Sequence, residues 1–297
     1  MEKKRLISFS VLCVAIFCVG MVTLHHGLKE FFFSKYYCQP VFFSAAPYIA
    51  AQQRAEKEIS APVGLSAAIT GEENKILFRK NIDLQMPIAS LTKLMTAWVI
   101  LEHYDIGSLI PVSLQAVQKT GDCGLKEGDS FPVEDFLKSI LIESCNDSAF
   151  ALAEAFQSVN SFVELMNSEA EKIGLGNTKF FNPSGLDMED GSFSNYSTAR
   201  DLLSFAKAIQ ENHPEIFNIS RSEKAVIFGD HIALNQNRIL DSGLVGGKTG
   251  WTPAASGSIL LVFENEGGYC VHIVLGASSP EERFQEALKL VNKYSNK

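Results

Sequence analysis

Apolar residues fall along this chain in three regimes. Leu6 to Leu24 is a nearly uninterrupted apolar run, preceded by the basic start Met1-Glu-Lys-Lys-Arg5. At ~1.5 Å per helical residue, about 19 residues can cross a bilayer. Further on, apolar positions take strand-like runs at both ends of the chain and helix-like spacing between them. Gly64–Thr70, a turn at Gly71-Glu-Glu-Asn74 and Lys75–Arg79 predict one hairpin. Ser258–Glu264, Asn265–Gly268 and Tyr269–Leu275 predict another. The helical pattern predicts helices over 90–104, 133–142, 146–157, 160–173 and 197–210, and a last one over 280–293 that starts at Pro280. Strands at both ends with helices between imply one sheet completed by distant segments, an α+β arrangement.

The predicted organisation is therefore a basic end (1–5), a membrane span or signal segment (6–24), a juxtamembrane segment (25–59) and one domain over 60–297. An uncleaved anchor is favoured over a cleaved signal peptide. No small-x-small pair follows the run closely, Ser44-Ala-Ala46 being far downstream, and signal h-regions are shorter, ~7–15 residues. Lys3, Lys4 and Arg5 would stay inside. Phe31-Phe-Phe33, Tyr36-Tyr37 and Phe42-Phe43 suit the headgroup level, although they could equally pack on the domain. Either reading exports the rest, so the expected location is the cell envelope, with the domain on the extracytoplasmic side of the inner membrane.

A net charge of −8 with no basic block excludes a nucleic-acid binder. Of six cysteines, Cys13, Cys18 and Cys38 lie in or beside the apolar span. Cys123, Cys145 and Cys270 remain for the domain; this odd number, without a CxxC, argues against a disulfide framework and against a zinc site.

Three short motifs carry the chemistry: Ser90-Leu-Thr-Lys93, Ser144-Cys-Asn146 and Lys248-Thr-Gly250. In the order S-x-x-K, S-x-N, K-T-G they describe one serine acyl-transfer site assembled from three segments. Each triplet recurs by chance, at Ser204–Lys207, Ser158–Asn160 and Lys119–Gly121. Ser204 falls on an amphipathic helix, and Lys119 runs into a turn, so order and context favour the first set. Gly247-Lys248-Thr249 also resembles the end of a phosphate-binding loop, but the required first glycine is Ser242 and Pro253 opposes a following helix.

A serine hydroxyl attacks only once a base takes its proton. Ser90 should stand at a helix start with Lys93 one turn on, and a buried lysine amine can be neutral. Ser144 and Asn146 fall between two helices, where a hydroxyl can relay a proton and an amide can hold a substrate backbone; one residue of Ser144–Asp147 could instead simply cap the next helix. Lys248 and Thr249, on a strand facing Ser90, suit a carboxylate. The N–H groups of Ser90 and Trp251 are candidate oxyanion donors, and Gly250 is expected to let the substrate approach the backbone.

Cys145 is expected to make the site sensitive to thiol reagents without being the nucleophile. A disulfide with Cys123 and a buried inert thiol remain open alternatives.

Pro87–Ala97 resembles the nucleophile segment of the D-alanyl-D-alanine carboxypeptidases, the low-molecular-mass penicillin-binding proteins. Leu141–Ala149, Asn182-Pro-Ser-Gly-Leu-Asp187, Asn235–Leu240 and Gly247–Ala255 are similar to other segments of that family. The resemblance covers about 60–290 and implies a five-stranded antiparallel sheet flanked by helices, with a helical subdomain. It implies Ser90 as acylated nucleophile, Lys93 as base and Ser144 as proton relay, with Asn146 binding substrate and Lys248 and Thr249 holding its terminal carboxylate; Gly250 and Trp251 join them as expected substrate-binding residues on the strand. The implied substrate is a peptidoglycan stem peptide ending in D-Ala-D-Ala, with β-lactams as covalent inhibitors; no metal or organic cofactor is implied. The chain departs from the pattern at Cys145, where glycine is common. A serine β-lactamase, a transpeptidase or a non-catalytic β-lactam receptor of the same fold are the alternatives. No E-x-x-L-N segment lies between Asn146 and Lys248, which disfavours the first.

Overall fold

The computed structural model describes residues 53–55, 57–70, 73–188 and 195–295. The expected span (6–24) and most of the segment after it lie outside the described residues. Among the described residues no helix is long and apolar enough to cross a membrane.

Five antiparallel strands form the central sheet: β1 (Val63–Thr70), β2 (Glu73–Lys80), β3 (Leu244–Thr252), β4 (Ser256–Asn265) and β5 (Gly268–Ala277). Their order is β2-β1-β5-β4-β3, so the first hairpin joins the last three strands through the β1–β5 pairing. This places β3, with Lys248, on an open edge. The principal helices are α1 (Thr92–His103), α2 (Val133–Lys138), α3 (Asn146–Phe156), α4 (Val159–Ile173), α5 (Ala199–Asn212) and α6 (Pro280–Tyr294).

The sheet is buried on both faces, which is why its strands read as continuous apolar runs and not as alternating ones. On one face Leu65, Leu260, Val262 and Ile273 pack against α1 and the other helices of the central region. On the other, Ile259, Leu261 and Phe263 meet Phe284, Ala287 and Leu290 of α6, and Ala55 and Ile59 join them. Helix α1 is apolar around most of its circumference because it runs through this core: Leu94, Met95, Ala97 and Val99 are fully buried. Pro280 at the first turn and the Ser279 side chain, which accepts from the Glu282 N–H, start α6.

Elements without a strong period escaped the pattern. A short hairpin pairs Lys224–Ile227 with His231–Leu234, and a six-residue helix covers Glu215–Ser220. The stretch predicted as one helix over 133–142 is α2 followed by a π-helical turn, Ser139–Glu143.

Candidate active site

Ser90 lies in a 3-10 turn, Ala89–Leu91, that feeds directly into α1. Lys93, one turn on, is fully buried, and its Nζ lies 2.9 Å from Ser90 Oγ. The same Nζ donates to Asn146 Oδ1 at 2.7 Å and to the Ser184 carbonyl at 2.9 Å. Those two acceptors account for the two protons of a neutral amine and leave its lone pair on Ser90. Burial pushes the Lys93 amine down to about 7, with the charge of Asp147 opposing.

The π-helical turn ends at Ser144, whose φ of 75° is left-handed, and its N–H donates to the Ser139 carbonyl at 2.8 Å. That reversal lets Cys145 return to an extended conformation and start α3 at Asn146. A non-glycine residue held in this region stores strain of ~1–3 kcal/mol, as functional loops often do. Ala89, beside Ser90, has a positive φ as well, 46°.

Lys248 reaches across from β3 and donates to Ser144 Oγ at 2.8 Å and to the Thr249 carbonyl at 3.0 Å. Burial, then the charges of Lys93 and Arg283, pull its pKa well below the ordinary lysine value. The three segments thus meet as two lysine-centred groups, Ser90–Lys93–Asn146 and Ser144–Lys248. Thr249 is buried and Trp251 is 42% exposed beside them. Gly250 also carries a packing constraint. A Cβ there would lie 3.0 Å from Ser90 N and from the Ile88 carbonyl, so it is the turn carrying Ser90 that approaches the strand.

Four contributors were not singled out from sequence. Ser184 acts through its carbonyl, which no side-chain pattern announces. Asn195 holds the same loop: it donates to Thr92 Oγ1 and to the Asn182 carbonyl, and accepts from the Phe181 and Asn182 N–H groups. Asp187 accepts from Thr252 Oγ1 and Ala254 N, tying that loop to the end of β3. Arg283, on α6, donates to the Gly250 carbonyl at 2.7 Å, and burial lowers its pKa to about 10. The segment Asn182–Asp187 carried the signal for two of these; nothing local marked Arg283.

Two of the three competing motifs fall elsewhere. Ser204 is exposed on α5, and Lys207 pairs with Glu211. Ser158 caps α4 by accepting from Ser161 N. Ser66 and His272 form a second serine pair, but both are buried, and His272 is held on its other side by Ser295.

Cys145 requires a correction. It forms a disulfide with Cys123, Cα–Cα 5.6 Å, while Cys270 is a buried free thiol. The cleft thiol expected to make the native site reagent-sensitive is therefore absent, and the domain holds one staple plus one inert cysteine. Glu143 lies within 4.8 Å of both sulfurs. Sulfurs bonded to each other are not thiolates, so this group is not a metal site.

The sequence profile of the D-alanyl-D-alanine carboxypeptidase family matches residues 51–279. DacC of Escherichia coli is 35% identical over 234 residues, 73% of this chain and 57% of its own length. DacF of Bacillus subtilis is 29% identical over 267 residues, 83% of this chain and 66% of its own length. The chain therefore spans less than two thirds of these relatives. Among solved structures, penicillin-binding protein D2 from Listeria monocytogenes in its ampicillin-bound form is 30% identical. It superposes with a TM-score of 0.68, covering 79% of this chain and 97% of that one. The matched residues run through all three motif segments that meet at Ser90, and the chain belongs to the D-alanyl-D-alanine carboxypeptidase family.

Proposed function

We propose that this protein is a serine D-Ala-D-Ala carboxypeptidase that removes the terminal D-alanine of peptidoglycan stem peptides and is acylated by penicillin at Ser90. The observation that carries this reading is the buried Lys93 amine, placed on Ser90 Oγ with its other partners satisfied. Lys93 takes the hydroxyl proton as Ser90 Oγ attacks the carbonyl carbon of the penultimate D-alanine. The Ser90 and Trp251 N–H groups serve the oxyanion. Ser144, hydrogen-bonded to Lys248, passes a proton to the nitrogen of the departing D-alanine. Water then hydrolyses the acyl-enzyme and regenerates Ser90. Asn146 holds the substrate backbone, and Lys248 with Thr249 holds the terminal carboxylate. Gly250 and Trp251 line the strand edge along which the peptide lies. This chemistry calls on no metal or organic cofactor.

The N-terminal run 6–24 serves as the membrane tether in this reading, with the domain on the extracytoplasmic side. A disulfide within the domain supports export, since such bonds persist in oxidising compartments.

The test is steady-state release of D-alanine from a stem-peptide mimic. Release should be catalytic, and the acylation rate should rise through about pH 7. Below that value Lys93 is protonated and cannot accept from Ser90; above it the amine is free. Acylation without release would leave a β-lactam receptor. Release only when an amine acceptor is added would indicate a transpeptidase.

A further inference from the structure

The disulfide joins the second motif to a loop that no motif includes. Thr120–Cys123 lies directly against Asn146. The Asn146 side-chain Nδ2 donates to the Thr120 carbonyl at 2.7 Å, and its backbone N–H donates to the Gly121 carbonyl at 2.9 Å. A Cβ on Gly121 would lie 2.6 Å from that same Nδ2. The other end of the amide, Oδ1, accepts from Lys93. The loop therefore decides which way the amide faces: turned over, it would set oxygen against the Thr120 carbonyl and NH2 against the lysine.

What holds the loop is limited. Gly121 within it and Gly124 just after it have φ of 78° and 82°, and Asp122 is exposed. Cys123 is its anchor. Its N–H donates to the buried Asp147 carboxylate at 2.8 Å, and its sulfur is bonded to Cys145, the residue between Ser144 and Asn146.

We infer that the Cys123–Cys145 disulfide is a positioning element of the acylation step: it keeps the Thr120–Cys123 loop on Asn146, and so keeps the Asn146 carbonyl on Lys93. The inference rests on the proposed function. It makes acylation sensitive to dithiol reductants, which supply the two electrons and two protons that turn the disulfide into two thiols and are themselves oxidised to a cyclic disulfide.

The experiment measures the second-order acylation rate of the full-length protein by a fluorescent penicillin, oxidised and after dithiothreitol, with the thiols counted by mass spectrometry. Reduction should slow acylation by about ten- to a hundredfold, the scale of a misplaced catalytic group. Its acid limb should move to lower pH, because the Lys93 ammonium loses an acceptor. Reoxidation should restore both. The Cys123→Ser/Cys145→Ser variant should behave like the reduced protein and ignore the reductant. Equal rates and pH profiles for the oxidised and reduced forms would overturn the inference. So would a loss that tracks unfolding by circular dichroism, which would assign the bond to stability alone. An oxidised protein that penicillin does not acylate would overturn the proposed function first, and the inference with it.

Discussion

Lys93→Ala should lower the rate of penicillin acylation by about 10²–10⁴-fold, the usual contribution of a general base, while Ser90→Ala should abolish the adduct entirely. In the proposed mechanism the two effects differ because Ser90 supplies the bond-forming atom and Lys93 only removes its proton. Both variants should remain folded. Truncating Lys93 takes one donor from Asn146 Oδ1 and from the Ser184 carbonyl, while the Asn146 side chain keeps its Nδ2 bond to the Thr120 carbonyl. Circular dichroism separates folding from chemistry. Ser204→Ala, on the exposed face of α5, should match the wild type in rate and adduct. A Lys93→Ala protein that acylates at the wild-type rate would remove lysine from the base role.

Lys248→Ala should weaken turnover of a free-acid substrate by tenfold or more. A charge-assisted contact to a carboxylate is worth roughly 1.5–3 kcal/mol, and Lys248, on the strand edge beside Ser144, is the amine whose charged form a bound carboxylate would favour. The corresponding C-terminal amide should lose much less. Equal losses on acid and amide would shift Lys248 from carboxylate recognition to proton transfer through Ser144. That outcome has a structural route, because its Nζ already donates to the Ser144 hydroxyl.

The parts of this molecule that obey a local period were legible from sequence. The two sheet hairpins, helix α1 and the final helix follow apolar runs or a 3.6-residue spacing bounded by turn residues, and they fall where those signals put them. Grouping the three motifs was equally accessible, because chain order and local context separated Ser90 from Ser204 and Lys248 from Lys119. What stayed hidden depends on tertiary placement. The π-helical turn before Ser144 continues a helical pattern and differs only in its hydrogen bonding. The Glu215–Ser220 helix and the small hairpin after it are too short to show a period. Ser184 contributes a carbonyl, and Arg283 comes from a helix far along the chain from all three motifs. The Cys123–Cys145 bond could not be read from an odd number of cysteines, because pairing follows from the 5.6 Å approach of two Cα atoms across 22 residues of chain. The discarded Lys119-Thr-Gly121 triplet shows the same point: it is a turn, as its composition indicates, yet its carbonyls hold Asn146.

The most direct measurement is the site of covalent modification. Incubation of the wild-type protein with a labelled penicillin, denaturation, digestion and mass spectrometry should give one adduct, on the peptide that contains Ser90. An adduct on Ser144 or Ser204, or none at all, would contradict a serine acyl-enzyme at Ser90.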